Sequence, residues 1–73
     1  MPKFPGLSGA DIVRALTILG FVFVRQKGSH IMMRRGEVGC VVPNHKEVKI
    51  GTVQGVLRQA GVSADEFSRA LRS

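Results

Sequence analysis

The sequence predicts an α+β domain, α-β-β-β-α with a short extra C-terminal helix and a three-stranded antiparallel sheet. Apolar residues recur at helical spacing near both ends, at Ile12, Val13, Leu16 and Leu19 and again at Val53, Val56, Leu57 and Ala60. The centre instead opens on Phe21-Val22-Phe23-Val24, a β-branched and aromatic run, and glycines at 28 and 36 then cut it into hairpin lengths. With 73 residues, 44% of them hydrophobic, the chain makes a single domain over 1–73. A domain of this size buries about 60% of its unfolded surface, enough for one core and one site.

Pro2, Pro5 and Gly6 mark residues 1–7 as an irregular arm. Ser8 followed by Asp11 is a capping box with Asp in place of Glu, and Gly20 stops the first helix. Phe21 to Arg25 is too short for a further helix and reads as a strand. Lys27-Gly28 is expected to form a hairpin loop, pairing Gln26 with Ser29, Arg25 with His30 and Phe23 with Met32. Ile31 to Arg34 continues the second strand, Gly36-Glu37 turns it, and Val38 to Val42 forms a third strand stopped by Pro43. Both faces of this meander are apolar, so alternation leaves open which one the helices cover; Phe21 and Phe23 favour their own. Asn44 to Gly51, ion-rich and without periodicity, reads as an exposed loop. Thr52 is the expected cap of the second helix and Gly61 its stop, while Ser63-Ala64-Asp65-Glu66 is a capping box for a third that carries Phe67, Ala70 and Leu71. Double-stranded RNA-binding domains use the same layout, an analogy of shape that assigns no function.

Eleven Lys and Arg against five Asp and Glu leave a net charge of +6, which suits an anionic partner: nucleic acid, an acidic protein or a membrane surface. The excess is concentrated between positions 25 and 49, where Arg25, Lys27, Arg34, Arg35, Lys46 and Lys49 face only Glu37 and Glu47. A solvated basic surface is the plain alternative. The single Cys40 excludes an internal disulfide and any Cys-rich zinc site, and its Val-rich strand suits a buried thiol in a reducing cytosol. The N-terminal residues lack the apolar core of a signal peptide and no stretch approaches the ~20 apolar residues of a membrane span, so a soluble, cytoplasmic protein is expected.

Packing does not account for Arg25-Gln26-Lys27-Gly28-Ser29-His30, which sets two cations, a glycine turn, a hydroxyl and an imidazole within six positions. His30 is the leading candidate for chemistry because imidazole gives and takes protons near neutral pH. Amides at the Gly28 turn, the Ser29 hydroxyl and the Arg25 and Lys27 cations suit an anionic oxygen, whereas a strand-end histidine beside ordinary surface charges is the bland reading. His45 is a possible auxiliary. A two-residue turn at Gly36-Glu37 sets Pro43 opposite His30 and His45 two positions further on, about 8 Å away. A three-residue loop sets Asn44 there instead, with His45 closer but facing the other side. Two histidines and thinly spread carboxylates do not make a metal site, so no metal or other cofactor is expected. Ser29 adjoins His30 and therefore points to the opposite face, a poor position for that histidine's nucleophile.

Gly20-Phe21, the Arg25 to His30 stretch, Val42-Pro43-Asn44-His45 and Gly51-Thr52 leading into Leu57-Arg58-Gln59-Ala60-Gly61-Val62-Ser63 together resemble the HicA toxins of bacterial toxin-antitoxin pairs. The resemblance runs from about Ser8 to Phe67, and its most specific part is the Gly-Ser-His block joined to the Pro-x-His block. It implies a metal-independent endoribonuclease that cleaves mRNA and so inhibits translation, on a fold similar to double-stranded RNA-binding domains, silenced by a HicB-type antitoxin. The family's essential histidine falls on His30, and Gly28 and Ser29 match its motif. Joined to the charge pattern, this makes Arg25, Lys27 and Arg34 candidates for holding phosphate and Lys46 and Lys49 for steering RNA. A non-catalytic basic RNA-binding module would use the same strip and is the alternative; a protein-interaction module would owe its charge to an acidic partner.

Overall fold

The computed structural model describes residues 6–73, and the expected order of elements is present: α1 (Gly9–Ile18), β1 (Val22–Lys27), β2 (His30–Arg35), β3 (Val38–Pro43), α2 (Ile50–Ala60) and α3 (Ala64–Leu71). Most of the expected N-terminal arm, residues 1–5, lies outside the described residues. The three strands form one antiparallel sheet in the order β1-β2-β3, an α+β meander with helices against it.

Local chemistry accounts for the starts of α1 and α3. At α1 the Ser8 hydroxyl accepts from the Asp11 N–H while the Asp11 carboxylate accepts from the Ser8 N–H, and Ser63 and Glu66 repeat the exchange at α3. Those bonds, the backbone amide first, hold both carboxyls below the usual carboxylate range. A depressed carboxyl stabilises the fold above its unfolded pKa, and that support is lost as pH falls through the folded value. Melting temperature is therefore expected to drop in acid, from about pH 4 downwards, and the Asp11→Asn, Glu66→Gln double variant to show a flatter profile than the parent. Ser8→Ala should cost about 1 kcal/mol at neutral pH.

One apolar layer fills the space between the sheet and the helices. Ile31 and Met33 of β2 and Cys40 and Val42 of β3 point into it, meeting Ile12, Leu16, Val53, Phe67 and the strand-preceding Phe21. This settles the covered face and corrects the expectation that Phe21 and Phe23 go together. Phe21 is buried, but Phe23 is 58% exposed, as are its neighbours Val22 (60%) and Val24 (51%). The helices reach over β2 and β3, leaving β1 exposed along its whole length as an edge strand. Arg35, one of the counted cations, is spent on this frame. Its guanidinium lies 4.7 Å from the centre of the Phe21 ring and donates to the Leu19 carbonyl at the end of α1.

The first hairpin differs by one residue from the expected register. Its loop is Gly28-Ser29, so Lys27 opposes His30, Gln26 opposes Ile31 and Arg25 opposes Met32. Gly28 takes φ +58° and no described non-glycine residue takes a positive φ, the pattern of a turn with glycine at its first central position. A Lys27-Gly28 loop would have needed a left-handed Lys27, which its Cβ resists. Beyond Arg25 the register shifts at a bulge around Val24, so Phe23 meets Met33 rather than Met32. The second turn is Gly36-Glu37 as expected, placing Pro43 opposite His30.

Two further expectations fail. The Asn44 to Gly51 segment is not simply an exposed loop, because Val48 is buried in the core (4% exposed) and its N–H donates to the Leu7 carbonyl at 2.7 Å. The second helix begins at Ile50 after Lys49, with no side-chain cap, and Thr52 lies inside its first turn. Its stripe of Val53, Val56, Leu57 and Ala60 is buried as read, and Gly61 ends it in the left-handed conformation at φ +68°.

Candidate nucleic-acid interface

Strand alternation sorts the basic residues. With Ile31 and Met33 inward, His30, Met32 and Arg34 of β2 face away from the helices, and so do the β1 residues directly opposite the first two, Lys27 and Arg25. One open sheet face therefore carries Arg25, Lys27, His30 and Arg34, with all four exposed. Lys27, not Arg25, is the cross-strand neighbour of His30. Arg25 stands one pair further along, its Nε 3.2 Å from the Met32 sulfur.

Two shallow clefts lie on this face, and β3 and α2 wall them. In the first, about 330 Å³, His30 and Pro43 meet Thr52, Gly55 and Gln59 of α2. The second, about 550 Å³, runs between Arg25 and Arg34 over a floor of Met32 and Val41, again with Gln59 at its side. Val41 and Gln59 line both, so the clefts adjoin. Together they make a trough with cations at one end, an imidazole at the other and apolar surface between.

The turn at the His30 end is held through its backbone carbonyls. Gln26 Nε2 donates to the Gly28 carbonyl at 3.0 Å, and the Asn44 N–H donates to the Ser29 carbonyl at 2.6 Å. Open space surrounds Gly28, so a ligand strand can approach it. His45 is exposed, and its carbonyl accepts from the Gly9 N–H at 2.8 Å, tying the start of α1 to the segment after β3. Lys46 and Lys49 are exposed on that segment, but neither they nor His45 line the His30 cleft. Among the described residues no three or more His, Cys, Asp or Glu side chains gather as a metal set, and burial pushes the Cys40 thiol up, keeping it protonated. No helix of the described residues is long and apolar enough to cross a membrane.

Over residues 9–62 the sequence matches the family model described as the HicA toxin of bacterial toxin-antitoxin. The match spans α1 to just past α2, the elements that build the trough. This chain belongs to the HicA toxin family. The comparison with curated proteins returned no match. A HicA-family chain is the toxin half of a toxin-antitoxin pair, and the open basic face belongs to that toxin.

The α2 wall was missed by sequence reasoning. Thr52, Gly55 and Gln59 flank the buried stripe Val53, Val56 and Ala60 by one position each, so they form the helix edge beside the core face. That spacing was a usable signal, because residues bordering an apolar stripe meet whatever the helix packs against.

Proposed function

We propose that this HicA-family toxin is an endoribonuclease that cleaves mRNA in the cytoplasm and is neutralised by a HicB-type antitoxin. One observation carries the reading: a single open face holds His30 beside Lys27 and continues to Arg25 and Arg34. RNA supplies its own nucleophile, so the protein must position the phosphodiester, move protons and offset phosphoryl charge. The 2′-oxygen attacks phosphorus, its proton passes to a base, and the 5′-oxygen leaves with a proton from an acid. His30 serves as one of these groups. Lys27, nearest to it, holds the phosphate, with the Gly28 and Ser29 turn alongside; Arg25 and Arg34 hold the strand further along the trough, and Lys46 and Lys49 attract RNA from outside it.

The bonds made and broken dictate the ends. Purified protein incubated with RNA in the presence of a chelator is expected to leave a 2′,3′-cyclic phosphate and a 5′-hydroxyl. Uncut RNA that stays bound would favour the non-catalytic module, and 5′-phosphate ends would mean that water, not the 2′-hydroxyl, attacks.

A further inference from the structure

We infer that Gln59 is an anchoring residue for the RNA strand, donating its side-chain N–H groups to an acceptor oxygen of a nucleotide in the trough beside His30. The inference rests on the ribonuclease reading above and adds a residue to that site. β3 is an edge strand, and at Val41 its outward N–H donates to Gln59 Oε1 at 3.0 Å. A backbone N–H needs an acceptor, so this bond decides which way the carboxamide points: Oε1 to the strand, Nε2 away from it. Among the described residues Nε2 has no acceptor, although the side chain lines both clefts. Two donors are thus held at the junction of the trough, between the imidazole end and the arginine end.

The chemistry narrows what they meet. A neutral amide adds direction without adding charge, so it suits a base carbonyl or a phosphoryl oxygen better than a whole phosphate. With Oε1 already accepting from Val41, the paired donor-and-acceptor contact by which a glutamine reads adenine is weakened, and acceptor edges such as those of guanine or uracil are favoured. The Val41 bond also blunts the open edge of β3, which gives Gln59 a structural use that the test must separate.

Wild type, Gln59→Glu and Gln59→Met are compared on one mixed-sequence RNA pool, with kcat/KM and the cleaved ends recorded and folding followed by thermal unfolding. Glutamate keeps an acceptor for the Val41 N–H and loses the donors; methionine loses both without adding charge. Both variants are expected to fold and to lose about tenfold or more in kcat/KM, the worth of one substrate hydrogen bond. A changed base frequency at one position near the cut identifies a base carbonyl, and a uniform loss identifies a phosphoryl oxygen. A folded methionine variant with wild-type kcat/KM overturns the inference, since the glutamate effect would then be charge alone. So does a glutamate variant as active as wild type, whatever methionine does, because the donors would then be dispensable. A wild type that cuts nothing overturns the ribonuclease reading itself and this inference with it.

Discussion

His30→Ala is expected to remove growth arrest and mRNA loss when the toxin is expressed without antitoxin, lowering the cleavage rate by about 10² to 10⁴, the usual worth of a general acid or base. The side chain is exposed, so the change should move stability by no more than about 0.5 kcal/mol, and the loss will not be a folding defect. Growth and total mRNA followed together, with thermal unfolding of both proteins, make the comparison. Equal toxicity and equal RNA loss would remove His30 from the chemistry. Lys27→Ala separates binding from proton transfer: as the cross-strand neighbour it should weaken RNA affinity and reduce its salt dependence, with the imidazole still in place.

Gly9→Ala is expected to destabilise the domain by at least 1–3 kcal/mol, against the sign of helix propensity, by which alanine in a helix gains about 1 kcal/mol over glycine. A β-carbon at Gly9 would overlap the Pro43 carbonyl oxygen and stand 2.8 Å from Asn44 Cα. Both neighbours are backbone and cannot swing aside. Pro43 also lies opposite His30, so a shift of Pro43 that relieves the overlap moves the site. Denaturant unfolding measures the first effect and RNA cleavage by the surviving folded fraction the second; a stabilised Gly9→Ala protein would show that this approach is slack. Gly55→Ala on α2 is the contrast, since a β-carbon there meets only the Arg58 guanidinium at 3.9 Å. There helix propensity should win and stability rise.

What was legible in the sequence was what is decided within a few residues. Ser8 with Asp11 and Ser63 with Glu66 predict their own caps because donor and acceptor lie three positions apart. The α2 stripe and the glycine-marked turns are equally local. The hairpin register was misread by one because glycine fits either central position of a two-residue loop, and the deciding cost falls on the residue before it. The bulge at Val24, the burial of Val48 and the tight seat of Gly9 against Pro43 depend on chain arriving from elsewhere, which periodicity does not encode. At the site, the residue types and the common face of Arg25 and His30 were readable, whereas the place of Lys27 opposite His30 came only with the true register. The α2 wall was legible only as a helix edge bordering the apolar stripe; its contact with β3 was not, because only the packed fold brings Gln59 to Val41.

The two edges of the sheet differ in how far they are covered. With α2 standing beside β3 and Gln59 occupying the Val41 amide, the more open edge among the described residues is β1, whose outward groups run beside exposed Val22, Phe23 and Val24. Such an edge is a template for polymerisation, and the bulge together with Arg25 and Lys27 opposes it, because a second copy laid there would set like charges against each other. Arg25 and Lys27, proposed above to hold RNA, are thus also placed to oppose self-association. Under the ribonuclease proposal, neutralising them is expected to lose substrate and solubility together, so that these positions would answer to two demands at once.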